Sequence, residues 1–186
     1  MPYRDTKFFN DCYYHVYNRG VNHSNIFLAK RNYYFFLEKV NQYLSPYTEI
    51  VAYCLMPNHF HLLILVQREE EVLTALKKLF LSYSKSFNKE TNRSGPLFEG
   101  RYKSKLVPDN DYLLHLTRYI HLNPVRAKLV SEPDEWKFSS YTDYIKPSEI
   151  SFVSKNIILK QVKDYRSFVK SYQEFDKEKL AELLFG

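Results

Sequence analysis

The sequence predicts an α+β protein, a four-stranded antiparallel sheet carrying helices. Three observations lead there: strand-length runs rich in aromatic and β-branched residues, two longer stretches with apolar residues at helical spacing, and a β-α-β-β-α-β order along residues 11–107. The third and fourth of these elements are separated only by Pro57 and Asn58, a connection that makes them a hairpin and excludes a parallel crossover.

"DCYYHVYNRG" (11–20) is rich in tyrosine and valine and ends in a turn signal, so it reads as the first strand. "KRNYYFFLEKVNQYLS" (30–45) spaces Tyr33, Phe36, Leu37, Val40 and Leu44 as one face of a helix. "TEIVAYCLM" (48–56) and "HFHLLILV" (59–66) form the hairpin. "EEVLTALKKLFLSYSKSFNKE" (70–90) carries Val72, Leu76, Leu79, Phe80, Tyr83 and Phe87 on one stripe of a long helix, which "NRSGP" breaks. "LFEGRYKSKLV" (97–107) alternates Phe98, Tyr102 and Leu106 with Arg101, Lys103 and Lys105, the pattern of a fourth strand with a basic margin. This is the ferredoxin-like split unit, which implies strand order 4-1-3-2 and puts the 59–66 strand beside the first. A helix over 110–123, an irregular stretch around Trp136 and short helices within 154–184 complete the reading. Residues 1–145 are expected to form one domain and 146–186 a helical extension packed on it.

The chain of 186 residues carries a net charge of +6, and residues 71–107, with eight Lys and Arg against three Glu, hold +5 of it. A localised basic surface is the footprint of a polyanion partner, and 17% aromatic content offers faces for stacking unpaired bases. A solvated basic helix over an aromatic core reads the same composition equally well. No apolar run approaches the roughly 20 residues needed to span a bilayer, and the first residues lack the apolar core of a signal peptide. Cys12 and Cys54 form no metal-like spacing and fall on non-adjacent strands. A cytoplasmic protein with reduced thiols is expected.

His59 and His61 point to the same face of their strand because side chains alternate with period two. They are compatible with a shared metal ion or with two core histidines satisfied by backbone groups. On the 110–123 helix Tyr119 and Asn123 lie four apart and share a face, with His115 a turn earlier. If that helix crosses the histidine face, His59, His61 and Asn123 make an N,N,O set with open positions, better suited to Mn2+ or Mg2+ than to a closed zinc site. Asn123 precedes Pro124 and is equally placed to cap a following short helix.

"MPNHFHLLI", "FEGRYKSKLV", "RYIHLNPVRAKLV" and "WKFSSYTDY", in that order over about residues 11–145, resemble the REP-associated tyrosine transposases. These belong to the HUH single-tyrosine transposases, named for two histidines flanking a hydrophobic residue, here Phe60. The resemblance implies Tyr119 as nucleophile and His59, His61 and Asn123 as ligands of Mg2+ or Mn2+. It leaves His115 and His121 to surface or core roles. Its implied reaction is transesterification of single-stranded DNA near imperfect hairpins through a 5′-phosphotyrosine, by a monomer or a homodimer, nucleoid-associated when bound. Consistently, the chain has no Walker sequence for ATP. Arg101, Lys103 and Lys105, with Lys85 on the flank of the 70–90 helix, would hold the DNA backbone. Asn18 and Arg19, opening the loop "NRGVNHSN", are further candidates for DNA contact. A catalytically silent single-stranded nucleic-acid-binding module and a hydrolytic metal nuclease are the competing readings.

Overall fold

The computed structural model describes residues 7–146 and 151–171. Four strands, β1 (Tyr13–Arg19), β2 (Thr48–Met56), β3 (His59–Val66) and β4 (Lys103–Leu106), form one sheet in the order β2-β3-β1-β4 with every neighbouring pair antiparallel. The expected topology is therefore present, with the histidine strand central beside β1. Cys12, just before β1, and Cys54, on β2, are separated by β3 and are free thiols.

The two sheet faces have different chemistry because directly paired residues share a face. Val16 pairs with Leu62 and Asn18 with Phe60, on the face that receives α1 (Lys30–Tyr43) and α2 (Glu69–Glu90). Phe60 sits 5.1 Å from the Phe36 ring of α1 and 5.5 Å from the Phe80 ring of α2, and Phe36 meets Tyr83 edge-on at 5.0 Å. Each fully buried side chain of this kind stabilises by roughly 1.5–3 kcal/mol. Glu69, Glu70 and Glu71 in the first turn of α2 complement its N-terminal dipole.

The opposite face carries His15, Tyr17 and Arg19 of β1 across from Leu63, His61 and His59 of β3, with Lys105 and Lys103 of β4 alongside His15 and Tyr17. The helix α3 (Asn110–Arg126) lies on this side, bringing the Tyr119 ring to 5.8 Å from that of His61. Asp109 starts it by accepting the Tyr112 amide at 2.8 Å.

Two sequence expectations change. The fourth strand is confined to Lys103–Leu106 and does not begin at residue 97. Gly95 and Gly100 both take positive φ, 88° and 97°, and Gly100 N bonds back to Phe98 O at 2.8 Å, so the chain turns instead of extending. Leu97 and Phe98 are still buried, by folding into the core through a loop, while Leu106 is half exposed. Second, the helix expected over 110–123 continues through Pro124 to Arg126, so Asn123 does not cap a new helix. Pro124 cannot donate to the Ile120 carbonyl, and the helix ends within one turn of it.

Beyond α3, the short helices α4 (Tyr141–Ile145), α5 (Asn156–Leu159) and α6 (Tyr165–Lys170) follow, and the helical expectations for residues past 171 lie outside the described residues. A buried network centred on His121 joins four elements. His121 Nε2 donates to Ser140 Oγ (2.7 Å), Tyr165 Oη donates to His121 Nδ1 (2.6 Å), and Ser140 Oγ accepts the Tyr53 amide (2.9 Å) while donating to the Tyr53 carbonyl (3.2 Å). With His121 neutral, every hydroxyl proton and ring nitrogen in it is used in one consistent direction.

Burial pushes His121 down to about 3, well below the usual imidazole value near 6.5. Between those values the unfolded chain binds a proton that the folded chain refuses, so stability falls as pH drops through this window. His121→Gln is expected to lose about 1–3 kcal/mol at pH 7.5, because Ser140 or Tyr165 is left unpaired. Urea unfolding against pH will also give a shallower acid-side decline for this variant than for the parent.

Candidate active site

A pocket of about 460 Å³ opens on the histidine face of the sheet, with His59 and His61 on its floor and Tyr119 on its wall. Its position follows from strand register and from the docking of α3. His59 Nδ1 donates to Asn58 Oδ1 at 2.7 Å, an oxygen that can only accept. The neutral ring is thereby fixed with its Nε2 lone pair unprotonated. His61 Nδ1 shares a 2.8 Å hydrogen bond with His15 Nε2, which leaves His61 Nε2 as its second ring nitrogen. The His59 and His61 rings stand 5.1 Å apart and nearly perpendicular, at 87°.

Burial is the main cause of the electrostatics here. It pushes His59 down to about 4, with Arg19 adding to the effect, and His61 well below the usual range, with His15 and His59 adding. His15, fully buried, is pushed to about 3 by burial and then by Lys105. All three are neutral at physiological pH, the form in which imidazole binds a metal. Two neutral imidazoles in one pocket fit a divalent cation that keeps open positions for oxygen ligands. Among the described residues no group of three or more His, Cys, Asp or Glu is placed to cage a metal.

The structure brings together most, not all, of the residues singled out in the sequence. Tyr119 is 8% exposed and carries the Arg126 guanidinium over its ring at 5.1 Å. Asn123, one turn on, is also nearly buried; its Nδ2 donates to the Tyr119 carbonyl at 3.0 Å, and it is not among the residues lining the pocket. Arg19, Arg101 and Lys103 line the pocket. Lys105 is half-buried opposite His15, with its ammonium pushed down by burial and by Lys103. Asn18 lines the pocket but uses its amide structurally, donating to Gly100 O at 3.1 Å and accepting the Arg19 amide at 2.9 Å. Lys85 is exposed on α2, the helix of the opposite face, and does not line the pocket. His115 lies near the surface of α3 beside Arg118, and His121 is core.

Sequence reasoning missed three residues. His15 and Tyr17 share the strand register with His61, and their period-two spacing in "YYHVY" was the available signal. Tyr17 lines the pocket as Tyr119 does, and burial raises its phenol above the ordinary value. Glu99 also lines the pocket and pairs with Arg19, two guanidinium nitrogens meeting its two carboxylate oxygens, one of them at 3.0 Å. That pair holds the Glu99 carboxyl below the usual carboxylate range.

A tyrosine helix laid over a histidine pair on an antiparallel sheet defines a class of DNA-processing protein, and the sequence comparison agrees. The family described as "Transposase IS200 like" matches residues 8–123, and the chain belongs to it. Within it the similarity is to REP-associated tyrosine transposases. A Haemophilus influenzae protein named as a putative member of that group is 24% identical over 140 residues, 66% of this chain and 80% of the relative. A solved structure of a REP-associated tyrosine transposase bound to a REP hairpin superposes with a TM-score of 0.62 at 16% identity, covering 82% of this chain and 89% of that one. At that identity the likeness establishes the shared fold. Among the described residues no helix is long and apolar enough to cross a membrane.

Proposed function

We propose that the protein cuts and rejoins single-stranded DNA beside hairpins, with Tyr119 as nucleophile and His59 and His61 as ligands of Mg2+ or Mn2+. The observation that supports this most is the meeting of Tyr119 with two neutral imidazoles in one pocket rimmed by Arg19, Arg101 and Lys103. The family, and the hairpin bound to a relative of the same fold, support the substrate class.

In this reading Arg101 and Lys103 hold the DNA backbone, and such contacts position a strand without reading its sequence. Arg19 joins them where a phosphate displaces Glu99. His59 and His61 would hold the cation through their Nε2 lone pairs, and the cation would supply Lewis acidity at the phosphate; Asn123 would join them only by turning its amide oxygen into the pocket, which it does not line here. Tyr119 Oη gives up its proton to solvent water and bonds to phosphorus as the P–O3′ bond breaks, and the leaving O3′ takes up a proton from solvent water. A 5′-phosphotyrosine and a 3′-hydroxyl result. One phosphodiester replaces another, so a 3′-hydroxyl can later reverse the step and rejoin strands with no nucleotide hydrolysis.

Manganese is expected to raise the melting temperature of the folded protein, since a ligand of the native state stabilises it. In the His59→Ala, His61→Ala double variant that rise should vanish; an unchanged response would remove the histidines from the metal site.

Replacing Arg101 or Lys103 by alanine should lower the slope of log affinity for single-stranded DNA against log salt by roughly 0.7 for each phosphate that the side chain had neutralised. Titrations at several salt concentrations measure this directly, and slopes equal to the parent's would put the strand elsewhere.

Tyr119→Phe removes one oxygen and keeps the packing ring, so hairpin DNA should still bind while cleavage and the covalent adduct disappear. Tyr17→Phe should still cleave. A denaturing gel separates the readings: cleavage by Tyr119→Phe without any protein–DNA adduct would make the protein a hydrolytic nuclease, and binding without cleavage by the parent would make it a silent binding module.

A further inference from the structure

We propose that His15 is a positioning residue that fixes the tautomer of His61 and so turns the His61 Nε2 lone pair into the pocket. The inference rests on the proposed metal-binding role of His61 and adds a residue that the functional motif does not contain. His15 and His61 are both inaccessible or nearly so, at 0% and 6% exposure, and they are joined by the 2.8 Å bond between His15 Nε2 and His61 Nδ1. The rings lie nearly parallel, 5.0 Å apart at 19°, and His15 also stacks on Tyr17 at 4.7 Å and 23°, so neither ring can turn without disturbing the other.

One proton occupies that bond, and its location decides what His61 can do. If His15 donated, His61 would carry its own proton on Nε2 and present an N–H to the pocket, which cannot ligate a cation. If His61 donates from Nδ1, its Nε2 is an unprotonated lone pair facing the pocket. The second arrangement suits the surroundings, because Arg19, Arg101 and Lys103 line that pocket and favour an acceptor over another donor. It then puts the His15 proton on Nδ1, a buried atom with no hydrogen-bond partner among the described residues. A purely structural residue would not be chosen to bury an unmatched polar atom, since an apolar ring would fill the space without that cost. Metal-ligating histidines are commonly oriented by a carboxylate or carbonyl on the second nitrogen; a neutral imidazole does the same without adding negative charge beneath a site for phosphate.

The test uses the whole protein, with manganese as the metal and two readouts. Nitrogen-15 NMR of the histidine rings in the metal-free parent should show the His61 proton on Nδ1. In His15→Phe, which keeps the stacking ring and removes the acceptor, the Nε2-protonated form of His61 should appear, and manganese affinity by calorimetry should fall about tenfold. His15→Gln returns an acceptor oxygen and should recover part of that affinity. The proposal is overturned if the parent carries the His61 proton on Nε2, or if His15→Phe keeps both the parental tautomer and the parental affinity. Should His15→Phe fail to fold, the parent spectrum and the His15→Gln affinity decide. A parent with the Nδ1 tautomer that binds no manganese would support His15 as the orienting group while removing the metal from the proposed function, so the two readings fail separately.

Discussion

The antiparallel register of β1 against β3 is the constraint on which the rest depends. Pairing Arg19 with His59 and Tyr17 with His61 puts these four polar side chains on one face and leaves Val16, Phe60, Leu62 and Ile64 for the helical layer behind. A slip of one residue would turn the histidines into the aromatic core and Phe60 out to the pocket. The Phe60 contacts with Phe36 and Phe80 therefore act as the lock on the register, and the hydrophobic residue between the two histidines has a physical task separate from any chemistry.

The docking of α3 is a second constraint. The helix that brings a tyrosine to the two imidazoles packs mainly on β2, whose Ala52, Cys54 and Met56 share the histidine face and give it an apolar seat. Leu113, Leu116 and Ile120 supply the apolar part of the contact. His121 supplies the directional part, tying the turn after Tyr119 to β2 through Ser140 and to α6 through Tyr165. Tyr119 points into the pocket region while His121, two residues on, anchors the helix that carries it, a division set by the 100° step between successive helical residues.

Element type and order were legible because periodicity is a local property: the helix stripe from Val72 to Phe87 and the alternation along 59–66 needed no tertiary information. The failures have specific causes. Residues 97–102 alternate like a strand, but Gly95 and Gly100 adopt positive φ and redirect the chain, and a glycine's conformation is chosen by its surroundings. Asn123-Pro124 carried a cap signal that the packing of α3 overrode. At the site, His59, His61 and Tyr119 were legible through their spacing and motif blocks. His15, Tyr17 and Glu99 were not, because what brings each of them to the site is a partner on another strand or loop, 46 residues away in sequence in the case of His15.

In the proposed function, charge in the pocket would let attraction for a polyanion and affinity for a cation coexist without cancelling. Protonated histidines would reinforce the basic rim but could not ligate; carboxylates would bind a cation well but repel phosphate. Burial keeps His59 and His61 neutral, so the floor offers lone pairs without net charge. The positive groups stand at the rim, on Arg19, Arg101 and Lys103, where solvent hydrates them and a phosphate chain can reach them. Glu99, the carboxylate lining the pocket, is already paired with Arg19, and exposed pairs of this kind are weak enough for a phosphate to exchange into. The separation is one of depth, with neutral donors below and cations above, and it follows from placing the histidines on the central strand β3 and the basic residues on the last residue of β1, the edge strand β4 and the loop that precedes it.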